Sequence, residues 1–163
     1  MVILGVDTGI QSNGVAVVEQ SKDVFDIKYL KEIKTKPGRP LAERIHLIFS
    51  TLESIVDEFE PSVVVMEKIY SHYRHPTTAA ALGSVRGVVM LLAAMKKIAI
   101  VEYPVTHVKK AVTAYGTASK DQMKRVVSHL AGLKQPIKSQ HCADALGLVF
   151  THAHTLRVEK SRE

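Results

Sequence analysis

Cysteine occurs once in the 163 residues, at Cys142, so no internal disulfide framework can form and the chain suits a reducing compartment. No run of 18 or more apolar residues is present, so no membrane span is expected. The most apolar stretch, residues 85–94, is ended by Lys96 and Lys97 and reads as a buried helix. The opening MVILGVDTG is too short and uncharged for a signal peptide, and Asp7 interrupts it early. Repeats, low-complexity segments and a second domain are also lacking. The expectation is one domain over residues 1–156 with a charged, disordered tail over 157–163.

Hydrophobic residues make up 46% and charged residues 23%, which is a globular rather than a disordered composition. Lys plus Arg number 22 against 16 for Asp plus Glu, a net charge of +6. That excess favours a polyanionic partner without proving one.

Along the chain, residues 2–6 form a short apolar run read as a buried strand, with Asp7 at its end. Turn residues Thr8, Gly9, Ser12, Asn13 and Gly14 lead to a second strand, 15–18. Residues 25–33 alternate apolar and polar, with Phe25, Ile27 and Tyr29 on one side, and predict a half-exposed strand. Residues 41–59 carry apolar positions at helical spacing, and Pro61 follows the stop. A β-branched strand at 62–66 ends in Glu67. A polar, aromatic loop at 70–75 precedes a small-residue helix at 77–95. Then come a strand at 98–102, helices at 106–114 and 119–130, and a last helix from His141 to about Thr155 with Ser139 as its cap. Three strands in a meander followed by alternating helix and strand imply a mixed α/β sheet covered by helices.

The chemistry concentrates at strand and helix ends. Asp7 and Glu67 each follow a short apolar strand, where a charge is costly unless solvated, paired or metal-bound. Either acid alone more often caps a turn or pairs with a surface lysine. Matched placement on neighbouring strands would bring both to one edge. His141 and Asp144 stand at i and i+3, on one face of the last helix near its anion-favouring end.

Five segments in order resemble the RuvC family of Holliday-junction resolvases. They are ILGVDTG with Gly14 and Val15, VVVMEKIY (63–70), LGSVRGV (82–88), HVKKAVTAYGTASKDQM (107–123) and HCADALGLVFTHAH (141–154). The resemblance implies a ribonuclease-H-like fold with a five-stranded sheet, and a homodimer that makes paired symmetric nicks in four-way DNA junctions with Mg²⁺ or Mn²⁺. It marks Asp7, Glu67 and Asp144 as metal-binding acids. His141 falls where many members have Asp and some bacterial members have His, and it is taken as a fourth catalytic ligand of a two-metal site. An imidazole makes the site one charge less negative and suits Mn²⁺, so higher activity with Mn²⁺ is expected. Lys109 and Lys120 match functional lysines of the family, with Lys120 beside the reacting phosphate, and Lys110 and Lys124 extend the basic field. Tyr70 matches an aromatic able to stack on an unpaired base, with Arg74 nearby as a further DNA contact. The family further implies a branch-migration motor as partner, and the expected location is cytoplasmic, at the nucleoid.

Four other readings compete. Asp7-Thr8-Gly9 matches the aspartic-protease triplet but leaves Glu67 and the helix-rich remainder unused. An actin-like phosphate loop needs a duplicated domain. A ribonuclease-H-like enzyme cutting RNA or RNA–DNA hybrid shares fold and metals and is the serious rival. A non-catalytic junction-binding module follows if His141 disables the site.

Overall fold

The computed structural model describes residues 1–22, 24–68 and 76–161. Tyr70, Arg74 and the rest of the expected 70–75 loop lie outside the described residues.

Ten elements follow in order among the described residues. They are β1 (Val2–Asp7), β2 (Ser12–Ser21), β3 (Val24–Lys34), α1 (Leu41–Phe59), β4 (Val63–Glu67), α2 (Pro76–Met95), β5 (Ala99–Tyr103), α3 (Val105–Thr113), α4 (Lys120–Leu130) and α5 (Gln140–Lys160). The sheet order is β3-β2-β1-β4-β5. The meander β1-β2-β3 is antiparallel, whereas β4 lies parallel to β1 and β5 parallel to β4. This is the mixed, helix-covered sheet that the element order implied.

Side chains alternate across each strand, so the sheet builds two cores. Leu4, Val6, Val15, Val17, Val64 and Met66 face α1 and α2. Ile3, Ala16, Val18, Val63 and Val65 face α3, α4 and α5. Residues of β1 and β4 that sit between the two helical layers are apolar on both faces, as a doubly covered strand requires. Among the described residues α2 alone is long and apolar enough, by length and composition, to cross a bilayer. Its Val85, Val89 and Leu92 pack into the sheet, which is the behaviour of a core helix.

Three expectations change. The strand expected at 15–18 extends to Ser12–Ser21, because it pairs along its length with β3. The register between β2 and β3 slips at Val17/Val18, where Tyr29 and Ile27 are the successive partners and Lys28 is passed over. Such a bulge reverses the alternation beyond it. Phe25 therefore packs edge-on against Phe150 of α5 at 5.1 Å, while Tyr29 turns to the opposite face, 6.0 Å from Phe59 of α1. The three aromatic and aliphatic residues expected on one side are thus divided between the two cores. Finally, the last helix continues to Lys160, so residues 157–160 are helical rather than part of a loose tail.

Both N-caps of the last two helices are serines. Ser119 forms a reciprocal capping box with Gln122. Ser139 accepts the Cys142 N–H and starts α5 one residue before His141.

Helix α5 sits unusually close to the sheet. A Cβ placed on Gly14 would overlap the main-chain carbonyl of His141, and one on Gly5 would overlap that of Ala145. Neither obstacle is a side chain that can swing aside. The two glycines thus set the seat of α5. Gly14→Ala should displace the start of α5 and lower stability by about 2 kcal/mol or more, as overpacked cores do. Urea unfolding followed by circular dichroism checks this; an unchanged midpoint would mean that α5 is not seated as described.

Candidate metal and DNA site

The register places the key acids in one row. Val6 pairs with Met66, so Asp7 and Glu67 come next on adjacent parallel strands. Asp7 pairs with Gly14, Gly14 with Glu32, and Glu67 with Tyr103. The row Tyr103, Glu67, Asp7, Gly14, Glu32 crosses the sheet and faces the α5 layer, since Ile3, Val63 and Val65 have the same parity. Gly14 is the gap in this row, and the first turn of α5 fills it.

His141 thereby meets Asp7. Its Nδ1 lies 2.7 Å from Asp7 Oδ2. That bond is the main reason the imidazole titrates above its ordinary value; the charges of Asp7, Glu32 and Asp144 act in the same sense and burial opposes them. The Asp144 carboxyl is pushed up to about 6, first by burial and then by the charge of Asp7. Its Oδ1 accepts from Gln140 Nε2 at 2.8 Å. Burial, followed by Asp7 and Asp144, also raises Glu67, against the opposing charges of Arg86 and Lys109. For Asp144, Lys120 and His141 act in the opposite sense.

Among the described residues, no three His, Cys, Asp or Glu side chains converge closely enough to hold a metal ion as they stand. The arrangement expected of a four-ligand site is therefore not already closed. The reason is visible in the bonds just given. Asp7 is turned to His141 and Asp144 to Gln140.

A cleft of about 240 Å³ opens beside the row, lined by Glu67, Lys109, Lys120, Gln140 and Asp144, with Val105, Val108, Met123 and Leu148 as its apolar wall. Lys109 comes from α3 and Lys120 from the first residue of α4. The structure thus brings Lys109 and Lys120 to the acids. Lys110 is exposed at the end of α3, and Lys124 lies one turn beyond Lys120; neither lines the cleft. Tyr70 and Arg74, the other expected DNA contacts, lie outside the described residues.

Glu32 was not singled out in the sequence. Its carboxylate pairs with the Ser12 hydroxyl, chiefly for which it titrates below the usual Glu range, and its charge helps hold the His141 proton. The bulge hides it: without the register slip, its parity with Phe25 and Ile27 could not be read from spacing.

This sheet order, with acids at the ends of β1 and β4 facing the last helix, defines a ribonuclease-H-like nuclease fold. The family model "Crossover junction endodeoxyribonuclease RuvC" matches residues 3–152. The chain belongs to the RuvC family. It is 37% identical over 157 residues to the crossover junction endodeoxyribonuclease RuvC of Endomicrobium trichonymphae, covering 96% of this chain and 82% of that protein. It is similar to Thermus thermophilus RuvC, with a TM-score of 0.87 at 30% identity over 98% of this chain and 97% of the other. Thermus RuvC in complex with a Holliday junction substrate also matches, with a TM-score of 0.87 at 28% identity over 97% and 96% of the two chains.

A raised carboxyl pKa carries a sign for stability. Asp144 binds its proton more tightly folded, at about 6, than at its ordinary 3.8. The folded state is therefore favoured below pH 4 by this group and loses that advantage as pH rises through 6. In metal-free buffer at pH 8, Asp144→Asn should raise the melting temperature. A gain of about 1 kcal/mol corresponds to roughly 2–4 °C for a domain of this size. The gain should vanish near pH 4. Differential scanning calorimetry in EDTA at both pH values measures it, and a destabilised Asn variant at pH 8 would contradict the account.

Proposed function

We propose that this chain is a divalent-metal-dependent endonuclease that acts as a homodimer and resolves four-way DNA junctions by paired symmetric nicks, in recombination and repair. The observation that carries the reading is the acid row on the α5 face, ending at a cleft walled by Lys109 and Lys120. Membership of the family supports it, as does the similarity to a Thermus protein solved with a Holliday junction.

The donor set fits a hard cation. Asp7, Glu67 and Asp144 offer carboxylate oxygens, and His141 a ring nitrogen, which tilts preference towards Mn²⁺ over Mg²⁺. Burial and then the neighbouring carboxylates raise Glu67 and Asp144, and a bound cation would favour their ionised forms. These four donors, on β1, β4 and α5, would hold the ion or ions. A bound cation supplies an activated water and neutralises charge on the phosphate.

The chain's own residues supply the rest. His141 orients the Asp7 carboxylate through Nδ1, which leaves Nε2 as the nitrogen it would offer to a cation. Lys120, on the cleft wall and close enough to act on Asp144, offers a positive charge to the phosphate as negative charge builds on it. Lys109 adds a second contact, and Lys110 and Lys124 widen the field that draws DNA in. Tyr70 and Arg74 are proposed to reach the junction centre, Tyr70 by stacking on an unpaired base.

A second copy suits the surface of α2. About a third of this apolar helix is buried within the chain, and Gly83, Gly87, Leu91 and Met95 lie exposed along it. Small residues permit close helix approach, and a large exposed apolar face calls for cover. A two-fold dimer matches the two equivalent strands to be cut. A branch-migration motor as partner, and a cytoplasmic place at the nucleoid, belong to the same proposal.

Two experiments test it. Synthetic four-way junctions, duplex and RNA–DNA hybrid are incubated with the wild-type protein and with Asp7→Asn. Paired nicks in the junction alone, lost in the variant and faster at saturating Mn²⁺ than Mg²⁺, are expected. Cutting of the hybrid with the junction spared would transfer the protein to RNA chemistry. The second experiment assigns Lys120: Lys120→Met should lower the single-turnover rate about 100-fold or more, the scale of a lost charge-stabilising donor. Junction affinity should fall less than tenfold. Equal losses in rate and affinity would make Lys120 a binding residue only.

A further inference from the structure

Arg86 lies in the middle of α2, 8% exposed, on the face of the sheet opposite the acid row. A guanidinium removed from water is costly unless its donors are met. Two are met with purpose. Nη1 donates to the main-chain carbonyl of Glu67 at 2.6 Å, and Nη2 pairs with the carboxylate of Glu102 on β5. Glu102 is next to Tyr103, the cross-strand partner of Glu67, so the guanidinium bridges the ends of β4 and β5. On the same strand ends, the Lys68 N–H donates to the Tyr103 carbonyl at 2.8 Å.

Glu67 is therefore held from two sides. Its main chain is gripped from the α2 layer, and its carboxylate reaches the α5 layer. The grip has something to resist. Asp7 ends the adjacent parallel strand in register with Glu67, and a strand end left loose would relax by moving the two like charges apart. A planar fork with fixed donors can hold a carbonyl and a carboxylate together, which a lysine ammonium does less well.

We infer that Arg86, steadied by Glu102, is a positioning residue that fixes the main chain of Glu67 so that its carboxylate is presented with Asp7 and Asp144 for divalent-cation binding. This rests on the metal-site reading above. The competing account is an ion pair that merely fastens α2 to β5. The two differ in what happens when both partners become apolar, since replacing a buried pair by well-packed hydrophobic residues often restores stability.

The full-length chain is prepared as wild type, Arg86→Met, Arg86→Met with Glu102→Leu, Arg86→Lys, and Glu67→Gln. Mn²⁺ binding is read from the electron paramagnetic resonance signal of the free ion, without DNA, and melting temperature is recorded on the same samples. The expected result is that Arg86→Met melts lower, the double variant recovers most of the loss, and both bind Mn²⁺ at least tenfold more weakly than wild type. Arg86→Lys, which keeps the charge but loses the fork, should bind Mn²⁺ with intermediate strength and does not depend on the double variant's folding. If the double variant recovers Mn²⁺ affinity along with stability, the pair is only a fastening and the inference fails. Weak binding by Glu67→Gln with wild-type affinity in every Arg86 variant also removes the clamp while leaving the metal site intact. Wild-type affinity in Glu67→Gln overturns both the clamp and the role of Glu67 on which it rests.

Discussion

The approach of α5 to the middle of the sheet is the constraint on which the site depends. A helix packed at ordinary distance would leave its first turn several ångströms from the strands. Here Gly5 and Gly14 remove the Cβ atoms that would stand in the way, and main-chain carbonyls of α5 occupy their space. His141 then reaches Asp7, and Asp144 reaches the neighbourhood of Glu67. The same contact buries the acids, which is what raises the Asp144 carboxyl to about 6. Packing and electrostatics are here one event: the seat that brings Asp144 to the sheet also disfavours its ionised form.

That cost is placed where the fold can bear it. The two hydrophobic cores lie on either side of the sheet, with Val6, Val15, Val65 and Met66 fully buried directly before the strand ends. The strained group thus sits at the rim of a rigid frame rather than inside it. Proteins commonly store unfavourable interactions at functional sites supported in this way. The bulge in β3 belongs to the same economy of the rim, since it turns Glu32 towards His141 while sending Tyr29 to the other core.

The cleft joins elements that are distant in sequence. Lys109 arrives on α3 and Lys120 on α4, and both helices are anchored by buried residues, Val108, Val112, Met123 and Val127, against α5. Helix α5 therefore positions the acids with its first turns and the lysines through its flank. The opposite layer contributes through Arg86, which links α2 to the main chain of Glu67. Both helical layers thus bear on Glu67.

Much of this was legible in the chain. Apolar runs ending in Asp7 and Glu67, the i, i+3 spacing of His141 and Asp144, and the serine caps are local signals. Periodicity and turn chemistry fix them without reference to the rest of the fold, and the family resemblance put them in one frame. What the sequence could not contain was distance. Whether Asp7 turns to His141 or to a metal, which lysines of the basic segment line the cleft, and which face Glu32 and Tyr29 take depend on register and on interlayer spacing. A one-residue slip reverses a strand's faces, and two missing Cβ atoms decide how near a helix can come. Those are properties of packed neighbours from remote parts of the chain, so only the tertiary structure decides them.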